Sequence, residues 1–206
     1  MEPNNEIWVE FARSMVPMMM GAAKAIPPFV TQPGKPAKVL DIAAGHGLFG
    51  ICIAEYNPAA EDVAVDWASV LEVAKENAAK FGVANRFRTI PGSAFDVDLG
   101  SGYDIALLPN FLHHFDHATN VALLKKIRAA MKPGGVVATL EFVPNEDRVT
   151  PPVPASFSMM MLGSTEKGDA FTFRELDAMF RDAGFGASTV QAMSNSPESL
   201  ILTARP

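Results

Sequence analysis

The stretch Val39–Gly50, VLDIAAGHGLFG, decides how the rest of the chain is read. An apolar strand runs into a glycine turn, Gly45-x-Gly47-x-x-Gly50, which opens onto an apolar helix starting near Leu48. Strand, glycine turn and helix in that order make the nucleotide-binding corner of an α/β sheet. Glycines also make ordinary tight turns, so the spacing alone is weak. Two acids sharpen it. Asp66 ends the next strand, EDVAVD, where a carboxylate can accept both hydroxyls of a ribose. Asp41 stands four positions before Gly45. A dinucleotide would set a pyrophosphate over the helix N-terminus, and a carboxylate there opposes it. S-adenosylmethionine (SAM) carries an ammonium and a sulfonium instead, so an acid at the strand tip suits it. Asp41 can also cap the loop through backbone N–H groups, and both readings are compatible.

Outward from this corner the pattern alternates. Helix is expected over 48–56, strand at EDVAVD, helix over 69–81, strands RFRTIPG and YDIALLP, helix over 120–131 and strand VVATLEF. Apolar strands alternating with helices predict a parallel sheet covered on both faces. The tail differs: the amphipathic helix TFRELDAMFRDAGF precedes two short strands, ASTVQAM and SLILTAR, joined by SNSPE. Strands that close must run antiparallel. The fold class is therefore α/β: a Rossmann-like, doubly wound, mostly parallel seven-stranded sheet with a C-terminal antiparallel hairpin. A helix over 4–30, kinked at Pro17 and stopped by Pro27-Pro28, precedes it. Residues 1–34 are read as a helical cap and 35–206 as the core of one domain. The terminal hairpin also favours SAM over a dinucleotide.

With 206 residues, 49% hydrophobic and 19% charged, the chain is expected to be globular. Its net charge of −6, without a basic stripe, argues against a nucleic-acid partner. Cys52 stands alone in an apolar run and reads as a small core residue, which suits a reducing cytoplasm. The acidic start MEPNNE is no signal peptide, and no apolar run is long enough to span a bilayer.

DIAAGHG resembles the first motif of class I SAM-dependent methyltransferases, and MKPGGVVATLEF resembles a later strand region of the same enzymes. LLPNFLHHFD followed by LLKKIRAAMKPGG resembles the catalytic domain of small-molecule O-methyltransferases of the caffeate and hydroxyindole type. NNEIWVEFARSM and FTFRELDAMFRDAGF fit that domain too, so the resemblance covers nearly the whole chain. It implies that Gly45 and Gly47 approach the methionyl and ribose parts of SAM, and that Asp66 binds the ribose. Ser93 and Phe95 would border the adenine, with Trp67, Ala94 and Asn110 completing the cofactor contacts. His113 falls on the general base and Glu141 on the acid that orients it. Three departures accompany it. A second acid flanking the histidine would fall at Ala170, and a lysine near the adenosine at Pro109. The family's N-terminal dimerisation domain is expected to be lacking, so the chain is read as a monomer or weak homodimer.

NFLHHFDH holds three of the four histidines. Of these His113 is expected to act, while His114 and His117 are structural or face solvent. No cysteine or HExxH spacing accompanies them, so no metal is expected. Glu141 could instead be a strand-end acid pointing at water. Met15, Met19, Phe111, Phe157, Met160 and Met161 are candidates to line an apolar acceptor pocket, although methionine stripes are also ordinary core. The expected activity is SAM-dependent methylation of a hydroxyl on a small, aromatic molecule. Its rivals are a SAM-binding module without catalysis, serving as a subunit or regulator, and an NAD(P)-dependent oxidoreductase.

Overall fold

The structure, a computed structural model, describes residues 6–194 and 196–206. Its strands are β1 (Ala37–Ile42), β2 (Ala60–Asp66), β3 (Phe87–Pro91), β4 (Tyr103–Pro109), β5 (Met131–Glu141), β6 (Ser188–Ala192) and β7 (Ser199–Ala204). They form a seven-stranded sheet in the order β3-β2-β1-β4-β5-β7-β6. β1 runs parallel to β2 and to β4, and β2 parallel to β3. β7 runs antiparallel to both β5 and β6. This is the expected α/β class with its terminal hairpin. The strand order reverses at β1, so the loop after β1 sits where open α/β sheets bind ligands. Two compact units divide the chain, one ending at Leu107 and one running from Leu108 to Pro206.

In the first unit, β1 buries four of its six residues and β2 five of its seven, as strands of a covered parallel sheet do. The helices are α1 (Glu6–Ala25), α2 (Pro27–Val30), α3 (Leu48–Tyr56) and α4 (Ala68–Lys80). α3 is buried from Leu48 through Ala54, hence its lack of a polar face. α4 packs Leu71, Ala74 and Ala78 against Ile51, Ala54 and Ala64. α1 lays Ala12, Trp8 and Val9 on Val70, Val73 and Trp67, and Arg13 grips Glu76 with two bonds of 2.7 and 2.9 Å. The helix expected over 4–30 is corrected to two. Pro17 lies within a continuous α1, whereas Pro27 opens α2, where its missing N–H costs nothing. Residues 4 and 5 of that expectation lie outside the described residues, as does Asn195 of the SNSPE turn. Phe11 and Met18 lie exposed, although their spacing resembles that of a buried face.

The second unit holds α5 (His117–Ala130), α6 (Pro152–Ser164) and α7 (Phe173–Asp182). α5 begins ahead of the expected Asn120 because Asp116 caps it, accepting from the Thr119 N–H at 2.9 Å. β5 begins at Met131 rather than Val136. The PGG segment, which reads as a turn, is held by Gly134 N–H to Arg205 O and Arg205 N–H to Gly135 O, each 2.8 Å. α7 starts in a capping box between Thr172 and Glu175 and buries Leu176, Met179 and Phe180. β5 and β7 are registered so that Glu141 faces Ser199. Among the described residues no helix is long and apolar enough to cross a membrane.

Candidate active site

In the first unit the three glycines of the loop have three different reasons to be glycine. Gly45 has φ +56, and a Cβ there would meet nothing closer than the Ala43 carbonyl at 3.9 Å. Its backbone faces open space. Gly47 has φ +74 and would drive a Cβ to 2.9 Å from the Ala74 Cβ, so it is a packing glycine against α4. A Cβ on Gly50 would lie 2.0 Å from Asp62 Oδ2. Of the three, Gly45 is the one with open space where a Cβ would stand. His46 between them is buried, and its Nδ1 accepts the Leu48 N–H at 3.1 Å, satisfying a donor in the first turn of α3. Burial lowers the His46 imidazole to about 4, so it is neutral at physiological pH.

Asp66 ends β2 beside Gly45. Its Oδ2 accepts the Gly45 N–H at 2.8 Å and its Oδ1 the Trp67 N–H at 2.7 Å. Each oxygen keeps a second lone pair for a ligand hydroxyl. Burial raises its carboxyl, against the pull of those two N–H groups. Ser93 Oγ accepts the Phe95 N–H at 3.2 Å in the turn after β3, with Ala94 buried between them. Asp41 is wholly buried. Its Oδ2 accepts the Gly50 N–H at 3.2 Å, the loop-capping arrangement, and its Oδ1 has no partner. Burial lifts Asp41 to about 7, the Gly50 N–H opposing and the charge of Asp66 adding. Asp62, unforeseen in the sequence, is equally buried with neither oxygen partnered. Burial and then the charge of Asp41 hold it well above the usual carboxylate range.

The second unit brings His113 and Glu141 together. A 3-10 turn at Leu112–His114 follows β4, and His113 Nδ1 lies 2.6 Å from Glu141 Oε2. The other oxygen, Oε1, accepts the N–H groups of Phe111, Leu112 and His113 at 3.1, 2.9 and 3.4 Å. Glu141 therefore does not point at water; it is buried and takes four hydrogen bonds. A carboxylate on Nδ1 fixes the proton there and leaves Nε2 as the basic atom. Phe157 stands edge-on to the His113 ring at 4.8 Å and stacks on Phe142 at 4.1 Å.

Several residues that brace this turn gave no local signal. Asn120 is fully buried and donates to the Leu112 and Phe115 carbonyls at 2.9 and 3.3 Å. Gly168 lies so close that a Cβ would stand 2.2 Å from the His113 carbonyl, whose oxygen accepts the Asp169 N–H at 3.0 Å. Glu198, buried ahead of β7, accepts from the Asn110 amide at 3.3 Å. Gly168 reveals itself only through a contact distant in sequence, and Asn120 only through its burial against the preceding turn. His114 lies 4.4 Å from the His113 ring; burial, then the nearby His113, lowers it to about 4. His117 opens α5 in solvent, paired with Asp182 at 2.9 Å. Of the pocket candidates, Met19 and Met161 are buried, Met15, Phe111 and Phe157 half-buried, and Met160 is 62% exposed. Among the described residues no group of three or more His, Cys, Asp or Glu is arranged to hold a metal.

Similar proteins place these features in a known context. A protein of Nostoc punctiforme, classed as an O-methyltransferase by inference, has a crystal structure that superposes with a TM-score of 0.95 at 51% identity, over 99% of this chain and 62% of that one. The 3-hydroxy-5-methyl-1-naphthoate 3-O-methyltransferase of Streptomyces sahachiroi is 31% identical over 147 residues, 71% of this chain and 42% of that protein. The SAM-dependent methyl transferase PigF of a Serratia species is 28% identical over 164 residues, 79% of this chain and 47% of its own. The chain thus spans just under half the length of these two relatives. Residues 34–186 match the O-methyltransferase domain model, and the chain belongs to that family.

Proposed function

We propose that the chain transfers a methyl group from SAM to a hydroxyl of a small aromatic acceptor, with His113 as general base. One observation carries the reading: the buried His113–Glu141 pair, its carboxylate held by three backbone N–H groups. The open backbone at Gly45 beside the Asp66 carboxylate fits a ribosyl cofactor. Asp66 and Trp67 would hold the ribose, Ser93, Ala94 and Phe95 the adenine side, and Gly45, Gly47 and Asn110 the remainder. Asp41 would act through the loop it caps. When bound, SAM supplies a methyl carbon made electrophilic by its sulfonium. His113 Nε2 takes the hydroxyl proton as the acceptor oxygen becomes nucleophilic, and Glu141 steadies the imidazolium. Oriented binding of both reactants supplies much of the acceleration. Phe111 and Phe157 offer aromatic surface near the base, and the naphthoate relative supports an aromatic acceptor. In this reading residues 1–34 cap a core of 35–206, and the chain is cytoplasmic and monomeric or weakly dimeric.

Calorimetry with SAM, followed by turnover of methyl-labelled SAM over a panel of phenols, tests the proposal. We expect binding, weakened by about 1.5–3 kcal/mol in Asp66→Ala because a charged acceptor is lost, and methylation of at least one phenol. Binding without turnover on any hydroxyl would favour a non-catalytic SAM module. NADH binding in place of SAM would overturn the cofactor.

A further inference from the structure

Glu198 is a buried carboxylate that the mechanism above does not use. It lies one residue ahead of β7, whose Ser199 is registered against Glu141, so its backbone enters the sheet beside the strand end that carries the orienting acid. Its Oε1 accepts from the Asn110 amide at 3.3 Å, and its Oε2 accepts from the Ser196 hydroxyl. Asn110 is the joint between β4 and the His113 turn. It takes a left-handed φ of 53°, which asparagine tolerates better than most residues, and its N–H donates to the Leu140 carbonyl at 2.8 Å. The next three N–H groups are the ones that bind Glu141.

We propose that Glu198 is a positioning residue for His113: through Asn110 it fixes the joint that carries the catalytic turn, and with Glu141 it forms an acidic flank to the imidazole. The inference rests on the general-base reading of His113. Burial raises the Glu198 carboxyl, with the Asn110 hydrogen bond opposing, the charge of Glu141 adding to the rise and that of His113 lowering it. Among the described residues of this unit, the titratable groups that bear on His113 include Glu141, His114 and Glu198. Asp169 meets it through its backbone N–H, while its carboxylate is engaged by Arg148 at 2.9 Å.

The test is an NMR titration of the histidine Cε1–H signals in the wild-type chain and in Glu198→Gln, with His113 assigned through His113→Gln. Glutamine keeps an acceptor for Asn110 and removes the charge. We expect the His113 midpoint to move to lower pH by roughly half a unit, with His117 unmoved, because a nearby negative charge favours the imidazolium. An unmoved His113 midpoint in a folded Glu198→Gln chain would overturn the acidic flank. Glu198→Ala, which also removes the acceptor for Asn110, should lower kcat for any phenol turned over, at saturating SAM, by roughly tenfold or more. Wild-type kcat in Glu198→Ala would overturn the positioning claim. The titration needs no acceptor, so it reads Glu198 even if the phenol panel defeats the proposed reaction.

Discussion

The glycine loop after β1 and the His113 turn after β4 both lie beside buried carboxyls, and they treat them in opposite ways. In the turn, Glu141 has every oxygen engaged, by three N–H groups and an imidazole. Beside the loop, Asp41 of β1 keeps one oxygen without a partner and Asp62 of β2 keeps two. A fully satisfied carboxylate stiffens its surroundings and holds one geometry. An unsatisfied one is costly when ionised, so it holds its proton. The difference matches two tasks. Under the proposed function, a base must stand ready in one tautomer before the acceptor arrives, whereas a cofactor loop only has to offer an open backbone.

Breaking the satisfied site should have the larger effect. Glu141→Ala strands three N–H groups and the His113 ring, and we expect a loss of about 3–5 kcal/mol of stability, as when one partner of a buried pair is removed. Thermal or denaturant unfolding measures it. A loss below about 1 kcal/mol would mean that water replaces the carboxylate and that the turn is less rigid than its hydrogen bonds imply.

The unsatisfied site should respond less, and in a pH-dependent way. Gly50→Ala forces a Cβ against the Asp62 carboxyl, at a cost of about 1–3 kcal/mol, and adding Asp62→Ala should recover most of it. Asp62→Ala alone should be neutral or stabilising at pH 8. An acid raised in the folded chain contributes stability that is complete below its ordinary value, 3.8, and lost as pH rises, through about 7 for Asp41. Asp62 is raised for the same reason, so the decline in Tm between pH 4 and pH 8 should be shallower in Asp62→Ala. An equal decline in both chains would show that Asp62 does not carry the proton.

The same contrast explains what the sequence disclosed. β4 matches YDIALLP residue for residue and α3 matches 48–56, because local apolar runs bounded by glycine, proline or tyrosine fix them. Asp66 at the end of β2 and the pairing of Glu141 with His113 were likewise legible, from strand position and from family resemblance. Asp62 was not: inside an apolar strand its acid reads as one more solvent-facing residue. It is buried because α3 offers Gly50 above it, a fact of packing rather than pattern. Gly168 and Glu198 were hidden for the same reason, each acting on a turn far from it in sequence, and Asn120 because an asparagine in the first turn of a helix looks like any polar helix residue. The glycine triplet was legible as a motif but not as three separate jobs, since only the neighbours of Gly47 and Gly50 reveal that packing demands them.

The central claim is that His113 removes the acceptor proton, and its most direct measurement is kcat for wild type and His113→Gln on an ordinary phenol and on a nitrophenol. A phenol with a pKa near ~10 is ionised in about one molecule in a thousand at neutral pH, so a positioned base should contribute about 10²–10⁴ in rate. The account predicts that loss for the ordinary phenol, with SAM affinity retained, and a much smaller loss for the nitrophenol, which ionises unaided. Equal losses on both phenols would contradict it, leaving His113 to position the acceptor or support the turn rather than act as the base.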